Sequence, residues 1–220
     1  MKIPTRTYEI LVALFITTLI VSNIASTKII AVGSLVFDAG TVLFPLAYIV
    51  GDIVTEVYGY RRMRNLLYAG VLSLLIATVT FWTVQYLPAE SSWQNQAAYD
   101  SILGVVWRIS LASILALFCG EIINAYVMAR AKVATKGRGL WLRMIGSSAA
   151  GSAIDTTVFS VIAFAGTMSV GVLAQLILTV FCIKMATEII VSPLTLRLIA
   201  FVKRREKTDV YEQPAKYLVN

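Results

Sequence analysis

The sequence predicts an all-α, polytopic membrane protein in which six helices cross the bilayer as a single domain over residues 1–220. Apolar residues make up 58% of the chain and charged residues only 14%, whereas soluble domains average about 45–50% and about 25%. Most of the apolar stretches reach the roughly 20 residues that a helix needs to cross the hydrocarbon. They cover residues 8–23, 39–58, 66–86, 103–129, 144–165 and 170–201.

The segment 24–38, between the first two stretches, has two interpretations. It is too polar to face lipid, yet residues 29–32 and 35–37 are mostly apolar. Such a segment can dip back into the membrane where protein buries its backbone. An ordinary external loop is the alternative, and the sequence does not decide between the two.

The basic residues of the loops indicate which way the helices run. Of the 19 lysines and arginines, 16 precede the first stretch or follow the second, fourth and sixth. The segment 88–102 and the turn near Gly166 contain none. Because cytoplasmic loops carry the excess of Lys and Arg, we predict that both termini are cytoplasmic. This topology also explains the net charge of +7 without a nucleic-acid partner.

The composition excludes several kinds of site. The chain has no histidine, which is the commonest metal ligand and the side chain that titrates near neutral pH. Cys119 and Cys182 lie inside apolar stretches without a CxxC pattern, and we interpret them as core-packing residues. No Walker sequence is present, so no ATP site is expected. We predict no metal, no cofactor and no enzymatic activity.

Seven charged side chains lie well inside the apolar stretches, and an eighth, Lys28, lies near a helix end. A charge at the bilayer centre costs about 2.5–3.5 kcal/mol on insertion scales, so such groups face a bundle interior or a watery cavity. We therefore expect the acids and Lys184 to converge on one central polar cavity. The seven are Asp52, Glu56, Arg108, Glu121, Asp155, Lys184 and Glu188.

Spacing places four of these groups on two helix faces. Asp52 and Glu56 are four residues apart, and so are Lys184 and Glu188. The second pair can neutralise itself. Two acids on one face instead need a cation, a proton or a ligand that presents N–H groups. Arg108 is a natural partner for one of the two acids.

Two further acids have polar neighbours on their own helices. Glu121 lies three residues before Asn124, on the same helix face. Asp155 has Ser152 and Thr156 beside it, so it either belongs to the cavity or bridges helices through these hydroxyl groups.

Aromatic, small and proline residues add further candidates. Residues 146–153 form a small-residue face that suits close helix packing. Pro45 and Pro193 interrupt the hydrogen bonding of the second and sixth helices. Four aromatic residues are candidates to stack on a flat ligand, with lipid-facing or core positions as the alternative: Phe44, Tyr48, Trp107 and Phe118.

A weak internal repeat relates the second, fourth and sixth stretches. Asp52 and Glu121 are 69 positions apart, and Glu121 and Glu188 are 67 apart. All three stretches run in the same direction, so the repeat indicates three helix hairpins that each place an acid at similar depth. Transporters commonly bind substrate at the interface of such repeats.

Several short motifs follow one another in an order that resembles a known family. They are Ser22-Asn23, Ala39-Gly40, Phe44-Pro45, Asp52…Glu56-Val57-Tyr58-Gly59, Trp107-Arg108-Ile109, Asp155-Thr156 and Phe181-Cys182-Ile183-Lys184. Their order and spacing resemble the queuosine precursor transporters, which are also grouped as vitamin-uptake-like transporters. The resemblance covers essentially the whole chain.

The resemblance implies uptake of 7-deazaguanine bases, such as 7-cyano-7-deazaguanine or 7-aminomethyl-7-deazaguanine, across a bacterial inner membrane. A guanine-like edge presents adjacent N–H donors that carboxylates accept, and a carbonyl that a cation binds. We expect Asp52, Glu56, Glu121 and Glu188 to contact the donor edge, with Arg108 or Lys184 balancing the charge. Glutamine in place of each glutamate should then weaken binding while folding survives. Asn23, Asn124 and Asp155 complete the predicted site.

Other functions remain open at this point. The chain can be a substrate-binding membrane subunit that works with a separate ATPase module, or a carrier of another small heterocyclic, vitamin-like solute. Its charges can also merely pair helices in a structural assembly factor. The sequence leaves a homodimer open.

Overall fold

The computed structural model describes residues 6–32, 35–164, 166 and 169–211, apart from the side chains of 29, 31, 35 and 36. Six helical segments are long and apolar enough to cross a membrane, which confirms the predicted all-α, polytopic fold. The six segments are Arg6–Ala25, Ala39–Tyr58, Tyr60–Gln85, Gln96–Ala134, Leu140–Phe164 and Val170–Glu206.

The first span, α1 (Arg6–Ala25), is followed by a β-hairpin of two short strands, β1 (Ile29–Val32) and β2 (Leu35–Asp38). The strands are antiparallel, with Ile29 opposite Asp38. Residues 29–32 and 35–38 therefore pair as strands, which satisfies backbone groups that a re-entrant loop or an open external loop would leave to protein or water. The exposed Lys28 lies here, away from the buried charges.

The second span has three parts. A 3-10 turn (Ala39–Leu43) leads into α2 (Phe44–Ile53), and a π-helical turn (Val54–Tyr58) follows. Pro45 lies in the first turn of α2, where a missing N–H costs nothing because that group has no helical partner. Our expectation that Pro45 interrupts the helix was therefore wrong. Gly59 ends the span with a φ of 89°, which favours glycine.

The remaining helices are α3 (Tyr60–Gln85), the short α4 (Gln96–Leu103), α5 (Val106–Ala134), α6 (Leu140–Phe164) and α7 (Val170–Glu206). α7 continues through Pro193. We call the end of the bundle that holds Gly59 and the last turns of α5 and α7 the basic end. The opposite end, which holds the β-strands, is the hairpin end.

Close packing between α5 and α6 depends on two glycines. A Cβ on Gly151 would lie 2.8 Å from both Asn124 Cβ and the Gly120 carbonyl oxygen, and a Cβ on Gly120 would overlap Asp155. The predicted small-residue face is therefore used at Gly151, whereas Gly146 faces open space.

The hydrophobic core lies towards the basic end. Residues from α1 to α3, α5, α6 and α7 pack there, including Phe15, Val54, Leu67, Met128 and Met144. Cys119 and Cys182 are exposed on the outer surface of their helices. Our interpretation of them as core residues was wrong, because apolar surroundings in sequence do not separate a lipid-facing position from a buried one.

Candidate functional site

A cavity of about 300 Å³ lies in the half of the bundle nearest the hairpin end. Parts of α1, α3, α5, α6, α7, the hairpin and the start of α2 surround it, and most of its wall is apolar. Aromatic rings of Phe37, Phe44, Phe159 and Phe164 contribute to this wall. The polar or charged lining residues are Ser22, Asn23, Ser26, Asp38, Ser113, Asp155, Thr156, Ser160 and Lys184.

An ion pair forms one polar part of the cavity wall. Lys184 Nζ lies 2.7 Å from Asp155 Oδ1 and 4.4 Å from the centre of the Phe44 ring. Thr156 donates a hydrogen bond of 2.9 Å to the same carboxyl oxygen. The side chain of Asp155 keeps 20% of its surface exposed, so the carboxylate remains available to a ligand while its charge is balanced.

A second polar part of the wall lies beneath the hairpin. Ser26 and Thr41 donate hydrogen bonds of 2.6 and 3.0 Å to the two carboxyl oxygens of Asp38. Asn23 donates to the Leu19 carbonyl at 3.0 Å, and its Oδ1 is buried without a hydrogen-bond partner among the residues that the structure describes. Asn23 therefore offers an unused acceptor beside the cavity.

Three buried acids form a layer between the cavity and the basic end. Asp52, Glu121 and Glu188 come from α2, α5 and α7, and their side chains interact with one another. Asp52 and Glu188 are neighbours where α2 packs against α7. None of the three lines the 300 Å³ cavity. The hydroxyl groups of Tyr48 and Ser152, which are 3.0 Å apart, lie beside this layer.

Glu56 lies apart from these acids, in a buried ion-pair network at the basic end. Its Oε2 accepts from Arg143 Nη1 at 2.8 Å, and its Oε1 accepts from Lys203 Nζ at 2.7 Å. Lys132 Nζ lies 3.5 Å from the same Oε1 and donates to the Glu56 carbonyl oxygen at 2.6 Å. Asp209 accepts from Lys132 at 2.5 Å and lies 2.9 Å from Lys203 Nζ.

The segment after α7 folds back over this network. Val210 N–H donates to the Val57 carbonyl at 3.2 Å, and its own carbonyl accepts from Lys132 at 2.9 Å. The Tyr211 ring lies 4.5 Å from Lys132 Nζ. Burial alone would raise the pKa of Asp209, but hydrogen bonds and charge from Lys132 and Lys203 outweigh it and hold that pKa below its ordinary value.

The predicted site residues therefore separate into groups at different depths. Asn23, Phe44, Asp155 and Lys184 line the cavity, and Glu121, Asn124 and Tyr48 lie together with Asp155 behind its wall. Asp155 bridges helices by pairing with Lys184 of α7. Lys184 forms its ion pair with Asp155 and not, as expected, with Glu188.

Three other candidate residues lie away from the cavity. Arg108 donates to the Ile162 carbonyl at 3.4 Å rather than pairing with Asp52 or Glu56. Trp107 is 51% exposed on the bundle surface, and Phe118 packs against Tyr68 on that surface. These two rings therefore face the lipid side of their helices instead of a ligand.

Sequence reasoning missed the cations of the Glu56 network. Lys132 and Arg143 were counted as loop residues, but α5 extends to Ala134 and α6 begins at Leu140, and both side chains are buried. It also missed Asp38 and the rings of Phe37, Phe159 and Phe164. The signal for Asp38 was weak: an acid three residues before a threonine is common in loops, and its other partner, Ser26, is distant in sequence.

Comparison with known proteins places these features in a family. The family model described as "Putative vitamin uptake transporter" matches residues 38–198, which is well over half of the chain. The "Probable queuosine precursor transporter" of Bacillus subtilis (strain 168) is 28% identical over 173 residues, which are 78% of this chain and 76% of that protein.

A second relative aligns over a shorter region. The "Queuosine precursor transporter" of Escherichia coli (strain K12) is 27% identical over 125 residues, which are 57% of this chain and 54% of that protein. No solved structure matches this chain. The cavity with buried charges, the six membrane spans and the family match agree, and the chain belongs to the vitamin uptake transporter family as a multi-pass membrane transporter.

Proposed function

We propose that this transporter imports queuosine precursors, namely 7-deazaguanine bases such as 7-cyano-7-deazaguanine and 7-aminomethyl-7-deazaguanine. The observation that carries the proposal is the Asp155–Lys184 ion pair beside the Phe44 ring in the wall of a mostly apolar cavity. The names of the relatives in Bacillus subtilis and Escherichia coli support the substrate class.

The chemistry of a deazaguanine matches these three side chains. Its pyrimidine edge presents two adjacent N–H donors, which the Asp155 carboxylate accepts, next to a carbonyl that Lys184 binds. The flat bicyclic ring stacks on Phe44 and displaces water from the apolar wall. A cavity of about 300 Å³ is at the lower end of the range for small-molecule sites, about 300–1,000 Å³, and suits a single base better than a nucleoside.

This assignment changes which acids contact the base. Asp155 borders the cavity, whereas Asp52, Glu121 and Glu188 lie behind it and Glu56 is neutralised by three cations. An acid that already holds Arg143 and Lys203 has few acceptor positions left for a substrate. We therefore propose Asn23, Phe44, Asp155 and Lys184 as the residues that contact substrate.

Asp155→Asn should weaken binding of 7-cyano-7-deazaguanine at least about tenfold. The asparagine amide replaces one carboxyl oxygen by a donor that opposes the N–H edge, and charge-assisted hydrogen bonds contribute roughly 1.5–3 kcal/mol. Calorimetric titration of the detergent-purified protein measures the dissociation constant. Phe44→Leu, which keeps the ion pair, should weaken binding through lost stacking.

The matched control is Asp100→Asn, the same substitution in α4, where the carboxylate accepts from Gln96 at 2.9 Å outside the cavity. It should bind the base as tightly as the parent. If Asp155→Asn and Phe44→Leu fold and also bind like the parent, the base does not occupy this cavity.

We propose that the basic end faces the cytoplasm, because 16 of the 19 lysines and arginines belong to the termini and the two connections at that end. Import then means entry at the hairpin end and release at the basic end. Phosphatase and green-fluorescent-protein fusions after Asn220 test this orientation. The fluorescent fusion should be bright and the phosphatase fusion inactive; an active phosphatase at that position would reverse the topology.

A further inference from the structure

Two carboxyl groups beneath the cavity are buried without a hydrogen-bond donor. Asp52 is 1% exposed and Glu188 is 3% exposed. Both oxygens of Asp52 and Oε1 of Glu188 have no hydrogen-bond partner among the described residues, and the two side chains are neighbours where α2 packs against α7. Two carboxyl groups can form a hydrogen bond only if one of them carries a proton.

Among the described residues, the groups that face the pair do not supply a compensating cation. α5 presents Glu121, and the π-helical turn after α2 presents Glu56 one turn away; both interact unfavourably with an ionised Asp52. α6 presents the Ser148 hydroxyl to Glu188, and between residues 10 and 25 α1 contains no charged residue. Behind Glu121, the charged groups are Asp155 and Lys184, which neutralise each other, and Tyr48 adds a phenol.

A neutral group near the pair also lacks a donor. Asn124 Oδ1 is buried without a hydrogen-bond partner in this part of the molecule. Together with the oxygens of Asp52, Glu121 and Glu188, it forms a buried excess of acceptors. No group of three or more His, Cys, Asp or Glu side chains among the described residues is placed to hold a metal ion. A proton satisfies acceptors without a coordination shell, and it removes the cost of burying charge.

We propose that the Asp52–Glu188 pair binds the proton whose inward movement drives substrate uptake, which makes the protein a proton–solute symporter. The proposal rests on the proposed function for its substrate. The proton enters from the hairpin side, forms an O–H bond on one carboxyl of the pair, and is released at the basic end when that bond breaks. No other bond changes, so each base that crosses is accompanied by one proton.

The position of the pair links it to the substrate. Lys184 and Glu188 lie one turn apart on the same face of α7. The base contacts the Asp155–Lys184 pair, while the proton site lies directly below on the same helix. A shift of α7 that follows substrate binding therefore changes the surroundings of Glu188, and the two binding events become coupled.

The first test measures the proton directly and needs no substrate. Infrared difference spectra of the purified protein, recorded during a pH titration, should contain the carbonyl-stretch band of a protonated carboxyl group. That band should disappear or shift in Asp52→Asn and Glu188→Gln and persist in Asp100→Asn. If the two variants leave every carboxyl band of the parent unchanged, the pair does not bind a proton and the proposal is wrong.

The second test separates coupling from transport in proteoliposomes with radiolabelled 7-cyano-7-deazaguanine. A gradient of one pH unit, acidic at the hairpin side, should drive accumulation by up to about tenfold, because one unit is worth a factor of ten for one proton. Asp52→Asn and Glu188→Gln should lose this accumulation but continue to exchange labelled for unlabelled base. Asp100→Asn should accumulate like the parent.

The outcomes distinguish the two proposals. Parent protein that exchanges the base but accumulates it only with a sodium gradient, or with neither gradient, overturns proton coupling and leaves the substrate assignment intact. Parent protein that shows the infrared band of the pair but exchanges no deazaguanine overturns the proposed substrate and keeps the proton site.

Discussion

Replacing Glu56 with glutamine should destabilise the protein by about 3–5 kcal/mol, the usual cost of removing one partner from a buried ion pair. Glu56 holds Arg143 at 2.8 Å and Lys203 at 2.7 Å, and Lys132 lies 3.5 Å away. Without the carboxylate, three cations would face one another, and only Asp209 would remain to balance them. This expectation reverses the one drawn from the sequence, in which Glu56→Gln folds normally.

Reversible unfolding of the purified protein in detergent measures the loss. Glu9→Gln, an exposed position at the same end of the bundle, should change stability by less than about 0.5 kcal/mol. The double variant Glu56→Leu with Arg143→Met should recover part of the loss, because it removes a pair rather than one partner. A fully stable Glu56→Gln protein that no longer binds the base would instead make Glu56 a substrate residue.

Gly151→Ala should destabilise the protein by about 1–3 kcal/mol, the typical cost of adding a methyl group to a filled core. The new Cβ would lie 2.8 Å from Asn124 Cβ and from the Gly120 carbonyl oxygen. Neither can move without separating α5 from α6. Since Asp155 lies one turn further along α6, we also expect weaker binding of the base.

Gly146→Ala is the matched control on the same helix. No atom lies within 4 Å of the position that its Cβ would take, and alanine favours a helix over glycine by up to about 1 kcal/mol. Gly146→Ala should therefore be neutral or stabilising in the same unfolding measurement. If the two alanine variants behave alike, close packing at Gly151 does not stabilise the bundle.

The six spans were predictable because length and apolar composition are properties of a segment alone. All six predicted stretches correspond to observed spans, and the differences lie at their ends, as for α7, which continues to Glu206. The buried acids were equally predictable, because a carboxylate inside an apolar stretch can be recognised from the sequence without knowing which way its side chain points.

The partners of these acids were not predictable in the same way. Lys132 and Arg143 fit the rule that cytoplasmic loops carry the excess of basic residues. In the structure, however, Lys132 belongs to the last turn of α5 and Arg143 to the first turn of α6, and both are buried against Glu56. Whether Lys184 pairs with Asp155 or with Glu188 depends on the rotation of α6 against α7. Such rotations are determined by packing across helices, as at Gly151, and not by spacing within one helix.

Polar and charged contacts are distributed unequally between the two sides of the cavity, so the barriers to opening towards the two ends of the bundle should differ. Towards the hairpin end, Ser26, Asp38 and Thr41 are joined by two hydrogen bonds. Towards the basic end, a solute would have to pass the buried acids and then separate Glu56 from its three cations and Lys132 from Asp209. We therefore expect opening on that side to have the higher activation energy and, in the proposed import cycle, to be the step that limits turnover.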